Sequence, residues 1–237
     1  MKVLLVTATS FEVQPTIIDA GFRGTFSSRM GAPGEEYSLP LFDCLVTGVG
    51  QLQCAAWLSK ALSQKRYDVV IQAGIAGSFT ERYPHRSVVL VEEDIVSDLG
   101  AETPQGFLDI FEMGLVSRDQ QPFSNGTLRQ PPLKFLDDIY LPRVRAVTVN
   151  RVLSDPESIA WVQGRYEPDI VSMEGAAFLY TCLMHQVPCV QLRAVSDRVG
   201  PRDTSTWDIP GAVAALNKEL SALLRALTSR PVAVDTL

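Results

Sequence analysis

Short runs rich in β-branched residues alternate with segments of helical period along the chain, and this alternation constrains the fold more than any other feature. The runs are KVLLVTA (2–8), FDCLVTG (42–48), YDVVIQAG (67–74), RSVVLVEE (86–93), RVRAVTVN (143–150), PDIVSME (168–174) and VPCVQLRAVSD (187–197). Several are apolar at successive positions, which puts apolar side chains on both faces of a strand and predicts a central sheet covered on both sides. Helical spacing falls between them, over 51–65, 155–165, 174–186 and 208–228. Ser154 with Glu157, and Pro156 in the first turn, predict a capping box at one helix start; Asp208 before Ile209–Pro210 predicts another start. Strands alternating with helices in this way define an α/β sandwich. No compositional break divides the 237 residues, so the chain reads as one domain over 1–237, with 229–237 as a flexible tail. The polar, glycine-containing stretch 97–110 is expected to cover or border a site.

The formal net charge is −6 and Lys and Arg are not clustered, which argues against a nucleic-acid partner. No stretch approaches the ~18 consecutive apolar residues of a membrane span. The opening MKVLLVTATSFEV contains Glu12 and lacks a small-residue cleavage site, so it reads as a first strand rather than a leader. The expectation is a soluble, cytoplasmic protein without a membrane partner. Cys44, Cys54, Cys182 and Cys189 form no CxxC pair, and His85 and His185 are the only histidines. Neither a metal site nor a cofactor is expected, and the cysteines read as small buried thiols. The scarcity of histidine, with no GxSxG elbow, also disfavours a Ser-His-Asp centre. GVGQLQCA (48–55) lacks the third glycine of a dinucleotide fingerprint and follows the second strand, while AGIAGS (73–78) lacks the Gly-Lys-Ser/Thr of a P-loop. The chemistry of this chain must therefore rest on carboxylates.

Ligands of open α/β sheets collect beyond the carboxyl ends of the strands. Reading each strand to its end gives TATSFE (7–12), TGVGQ (47–51), AGIAGS (73–78), SMEG (172–175) and SDRVG (196–200). Glu12, Glu174, Asp197 and two glycine-rich turns are thus delivered to one edge. Glu174 heads the apolar run SMEGAAFLY (172–180), where a buried carboxylate needs a structural partner or a ligand. At the mouth of its helix it can accept both hydroxyl protons of a vicinal diol. A second acid, kept protonated by burial, can hand its proton to a leaving group, and a third, left ionised, can deprotonate water. That division of labour is glycosyl hydrolysis through an oxocarbenium-like state. Met173 and Trp207 offer apolar and aromatic surface to a sugar or base, and the glycine turns let backbone approach a flat ligand.

In this order and spacing TATSFE, AGIAGS, SMEGAA and RAVSDRVG resemble the nucleoside phosphorylase family, specifically its hydrolytic branch, from Val3 to about Leu227. The resemblance implies a three-layer α/β/α sandwich around a mixed central β-sheet, and a purine nucleoside as substrate. By position it implies Glu12 as the base that activates water, Asp197 as the acid at purine N7 and Glu174 as the ligand of the ribose hydroxyls. Met173 would pack under the ribose, Ala76 and Gly77 would border the base, Arg151 and Val152 would lie against the purine, and Trp207 would close the pocket. Gln72 stands where phosphorylases of the family carry an arginine, which implies water rather than phosphate as nucleophile. The segments DLGAETPQGF (98–107) and SDRVGPRDTSTWDIPGAV (196–213) look more like the members that release hypoxanthine from futalosine, in the alternative menaquinone route, than like those acting on methylthioadenosine. Ile75 also departs from the small hydroxyl residue common in the latter. Futalosine carries a benzoate, for which Arg198 or Arg202 is the expected partner, with Arg29, Arg151 and Arg193 as further candidates. Cleavage of methylthioadenosine, S-adenosylhomocysteine or aminodeoxyfutalosine, phosphorolysis, and nucleoside binding without turnover are the alternatives. The resemblance further implies a homodimer or higher homo-oligomer.

Overall fold

The computed structural model describes residues 1–104 and 106–229, so the expected tail falls almost wholly outside the described residues. In chain order the elements are β1 (Val3–Thr7), α1 (Ser10–Asp19), β2 (Glu35–Ser38), β3 (Asp43–Val46), α2 (Gln51–Gln64), β4 (Val69–Ser78) and β5 (Val88–Val96). There follow β6 (Gly100–Thr103), β7 (Gly106–Asp109), β8 (Leu128–Arg129), β9 (Arg143–Thr148), α3 (Pro156–Tyr166), β10 (Ile170–Ser172), α4 (Gly175–Met184), β11 (Cys189–Arg198) and α5 (Ile209–Ser229). Among the described residues nine strands form one mixed sheet in the order β10-β9-β5-β11-β4-β1-β3-β2, with β8 on β5. Strand β4 is its axis: it runs parallel to β1 and β11, and its last residues, Gly77 and Ser78, pair antiparallel with β10. That extra pairing closes β10, β9, β5, β11 and β4 into a ring, so strand ends that an open sheet would spread apart converge.

The two-residue period of the strands sorts the core into layers. Val3 and Leu5 of β1, Val69 and Ile71 of β4, and Val190 and Leu192 of β11 pack with α1 and α5. Leu4, Val6, Val70 and Cys189 face the opposite way, against α2 and α4. Helix α5 meets its layer through buried Leu216, Leu220, Leu223, Leu224 and Leu227, one stripe of a 3.6-residue period. Each such side chain contributes roughly 1.5–3 kcal/mol through burial. Gln72, Gln191 and Arg193 therefore belong to the face covered by α2 and α4, where they interrupt an otherwise apolar layer.

The seven expected strands and the four expected helices all form, with ends displaced by a few residues. Three details differ from the sequence reading. The segment read as the end of the first strand turns at Thr9 into α1, so Glu12 sits in a helical first turn. The cap of α3 is Asp155, whose carboxylate accepts the Ser158 N–H at 2.8 Å, rather than Ser154, because Pro156 then occupies the first helical position. Residues 100–103 and 106–109 pair as antiparallel β6 and β7 instead of forming a plain loop. Among the described residues no helix is long and apolar enough to cross a membrane.

Candidate active site

Glu12 is buried at 6% exposure, and three donors at 3.0 Å hold its carboxylate. The Thr9 N–H and hydroxyl reach Oε2, and the Ile75 N–H reaches Oε1. The first two are a side-chain cap at the start of α1; the third comes from β4, so the glutamate ties helix to sheet. Asn217 of α5 fixes the same turn. Its carboxamide donates to the Glu12 carbonyl at 2.8 Å and accepts from the Thr16 N–H at 3.0 Å, bridging the two groups that a regular turn would join directly.

Glu174 is spared from capping its own helix. The first amides of α4 go elsewhere: Gly175 N–H to the Ser172 hydroxyl at 3.2 Å, and Ala176 N–H to the Thr148 hydroxyl at 2.8 Å. The Glu174 side chain instead reaches the GVGQ turn, where Oε1 accepts the Gly50 N–H at 2.8 Å. Gly50 has φ = 94°, in the region that favours glycine, and this aims its amide at the carboxylate. Oε2 lies 3.8 Å from Nη1 of Arg193. Burial pushes the Glu174 carboxyl up, while Arg193 pulls it down and Glu12 adds to the upward push.

Arg193 was read from sequence as one of several arginines near the pocket edge. It is instead 1% exposed, on β11 opposite Gly74 of β4. Nε donates to Gln191 Oε1 at 3.0 Å, Nη2 to Gln72 Oε1 at 2.8 Å, and Nη1 to the Ile75 carbonyl at 3.4 Å. A Cβ on Gly74 would lie 2.6 Å from Nη1 of Arg193 and 2.9 Å from Oε1 of Glu12. That glycine makes room for a cation and a carboxylate to converge, a different use of the AGIAGS turn from the backbone approach to a ligand that sequence reading assigned it.

Asp197 follows an irregularity in the β11–β4 register between Val195 and Asp197 that brings it opposite Gly77. Such a bulge re-aims a side chain at the end of a strand. A Cβ on Gly77 would lie 3.1 Å from Oδ2 of Asp197, and Oδ1 accepts the Ser196 hydroxyl at 2.6 Å. Burial pushes the Asp197 carboxyl up, against the opposing effects of Ser196 and His85.

One cavity of about 380 Å³ joins these groups. Its lining includes Glu12, Ala76, Gly77, Val152, Met173, Glu174, Asp197 and Trp207, the sequence candidates apart from Arg151. Arg151 is exposed and stands outside the lining; the neighbouring Asn150 is held by Asp98, through its N–H at 2.6 Å and its side-chain amide at 3.0 Å. Arg29, Arg198 and Arg202 also line the cavity, and among the described residues none is paired with a carboxylate. The Arg29 guanidinium lies 4.4 Å from the Phe11 ring centroid, a stacked placement that leaves its edge free to donate. Residues Leu99, Asp109 and Ile110 border a second cavity instead, so the 97–110 stretch does not cover this one. The four cysteines are buried, and among the described residues no three His, Cys, Asp or Glu side chains are grouped to hold a metal ion. Gln191 is the residue missed from sequence; Arg193, a candidate there only for the benzoate, lies instead in the buried layer, where Gln72 accepts from it. The signal was present: CVQLRAV alternates polar and apolar positions within a covered strand, marking one polar face.

A mixed α/β sandwich with three carboxylates at the convergent strand ends defines the class. Residues 44–229 match the Phosphorylase superfamily, and the chain belongs to that family. It is 30% identical over 245 residues to a futalosine hydrolase of Streptomyces coelicolor, covering 97% of each chain. Its fold is similar to that of a 5'-methylthioadenosine/S-adenosylhomocysteine nucleosidase from Colwellia psychrerythraea in complex with adenine (TM-score 0.77, 18% identity, 98% of each chain). It is likewise similar to futalosine hydrolase of Helicobacter pylori (TM-score 0.72, 15% identity, 94% of this chain and 97% of that one).

Proposed function

We propose that this chain hydrolyses the N-glycosidic bond of futalosine, releasing hypoxanthine. The observation that carries the reading is three carboxylates in three different surroundings on one cavity: Glu12 held by donors from Thr7, Thr9 and Ile75, Glu174 beside a buried arginine, and Asp197 desolvated at the opposite turn. In the proposed reaction Asp197 gives its proton to the purine at N7 as the C1′–N bond breaks. Water attacks C1′, and Glu12 accepts the proton it releases. Glu174 accepts hydrogen bonds from the ribose hydroxyls, steadied by Gly50 N–H and Arg193. Met173 and Trp207 pack against sugar and base, and Ala76 and Gly77 give the base its edge.

Electrostatics favours water as nucleophile. Arg193 is the one cation among the described buried residues, and Gln72, Gln191 and the Ile75 carbonyl already engage it. Glu12 and Glu174 beside it would repel a phosphate dianion. Gln72 thus contributes as a neutral acceptor that anchors the arginine. At the cavity wall Arg29, Arg198 and Arg202 supply donors for the benzoate of futalosine. We further place the chain as a homodimer or higher homo-oligomer, on exposed Leu52, Tyr180 and Met184 of the mutually packed α2 and α4; light scattering after gel filtration tests this.

The experiment is base release from futalosine, aminodeoxyfutalosine, methylthioadenosine and inosine, each with and without phosphate. Phosphate-independent release of hypoxanthine from futalosine is expected, with KM for futalosine, and not for inosine, raised by Arg29→Ala, Arg198→Ala or Arg202→Ala. Preference for methylthioadenosine would overturn the substrate, and dependence on phosphate would overturn the nucleophile.

A further inference from the structure

Asp94 of β5 is 0% exposed, yet it reaches neither the cavity nor any cation directly. Its Oδ1 accepts the Thr148 hydroxyl at 2.8 Å and its Oδ2 accepts Gln191 Nε2 at 3.1 Å. The other end of the same Gln191 amide accepts from Arg193 Nε at 3.0 Å. Thr148, besides donating to Asp94, accepts the Ala176 N–H at the head of α4. From one carboxylate, two chains of hydrogen bonds therefore run to the site: one through Gln191 to the guanidinium beside Glu12 and Glu174, the other through Thr148 to the helix that begins after Glu174.

The chemistry of the groups fixes their orientation. An ionised carboxylate only accepts and a guanidinium only donates, so an amide between them has a single satisfying arrangement, oxygen to Arg193 and nitrogen to Asp94. Gly175 keeps the space clear, because a Cβ there would run into both Asp94 and Gln191. Gln191 and Arg193 stand two apart on β11 and share a face, while Gln72 of β4 is opposite Gln191 in the parallel register. Arg193 is thus gripped on Nε by the amide that Asp94 orients and on Nη2 by Gln72, while Nη1, which also donates to the Ile75 carbonyl, faces Glu174.

We propose that Asp94 and Gln191 are positioning residues for the hydrolytic reaction: by fixing the Gln191 amide, Asp94 sets the Arg193 guanidinium against Glu12 and Glu174. The proposal rests on the functional reading above. Neither residue lines the cavity, so substrate binding feels them only through Glu174, and their substitution should weigh far more on the chemical step than on binding.

The test compares Asp94→Asn, Gln191→Met and the double variant in steady-state hydrolysis of futalosine, normalised to folded protein by near-ultraviolet circular dichroism. Each single variant should lower kcat about 10- to 100-fold, with KM within about threefold of wild type. The double variant should lose no more than Gln191→Met alone, because the two act through one bond. Gln191→Glu should retain more kcat than Gln191→Met, since a carboxyl sharing a proton with Asp94 still offers Arg193 an acceptor. A kcat within twofold of wild type in Gln191→Met, or effects that multiply in the double variant, would overturn the proposal. If Asp94→Asn fails to fold, the two Gln191 variants still decide. A readout independent of turnover is the NMR signal of the Arg193 Nε–H, which should exchange slowly in the wild type and at least about tenfold faster in Gln191→Met; unchanged exchange would also overturn the proposal. Absence of hydrolysis by wild type would count against the functional reading, and the exchange measurement would then decide the positioning claim alone.

Discussion

The desolvation of Asp94 gives the structure a measurable dependence on pH. Burial raises this carboxyl from 3.8 to about 6, against the opposing effects of the Gln191 and Thr148 hydrogen bonds and of Arg193. A raised carboxyl means that the folded chain holds its proton more tightly than the unfolded chain. The contribution is therefore most favourable at low pH and declines as pH rises, flattening once pH exceeds about 6. At 1.36 kcal/mol per pKa unit the full decline is about 3 kcal/mol, of which about 2 kcal/mol falls between about pH 4.5 and pH 7. The carboxamide introduced by Asp94→Asn carries no charge to desolvate, and the acceptor it takes away from the Gln191 amide is a constant offset. Urea unfolding of wild type and Asp94→Asn across that range cancels the titrations they share. The stability difference should move in favour of the variant by about 2 kcal/mol from about pH 4.5 to pH 7. A difference that stays flat would refute the reasoning, since Asp94 would then titrate in the folded chain as it does in the unfolded one.

Other expectations concern the carboxylates and what holds them. Asp197→Asn should lower kcat about 100-fold or more with a much smaller change in KM. Because burial raises the Asp197 carboxyl, its acidic form persists above the usual carboxylate range, and wild-type kcat should fall as pH rises through the raised value. The variant should lack that limb in a pH–rate profile. Gly74→Ala should lower kcat about 100-fold with far-ultraviolet dichroism unchanged, because its Cβ would displace Arg193 Nη1 and Glu12 Oε1 from 2.6 and 2.9 Å. Asn217→Leu removes the bridge between the Glu12 carbonyl and the Thr16 N–H and should cost about 3 kcal/mol in urea unfolding, together with a loss of kcat.

The alternation of apolar runs with helical segments was enough to lay out the covered sheet, because burial on both faces leaves a near-continuous hydrophobic record in strands such as β4 and β11. The carboxylates were legible for the complementary reason: Glu174 is conspicuous at the head of an apolar helix. The short strands β2, β6, β7 and β8 were not legible, since none of their residues is Val or Ile, the β-branched apolar types that mark the equally short β3 and β10. Helix α1 was hidden by Pro15 and by the Asn217 amide, 201 residues away from the Thr16 N–H it accepts, whose presence no local pattern announces. Arg193 was misplaced because charged side chains are seldom fully buried. Its burial depends on Gln72, Gln191 and Asp94, which lie on three strands that become neighbours only in the folded sheet.

The most direct measurement of the central claim is the fate of the nucleophile. Hydrolysis of futalosine in water enriched in 18O, with phosphate present, should place the label on C1 of the released sugar, leave hypoxanthine unlabelled and form no sugar phosphate, as judged by mass spectrometry. Glu12→Gln should abolish that labelling at a matched time. A sugar 1-phosphate as product, or full-rate labelling in Glu12→Gln, would contradict the carboxylate-driven hydrolysis argued from this site.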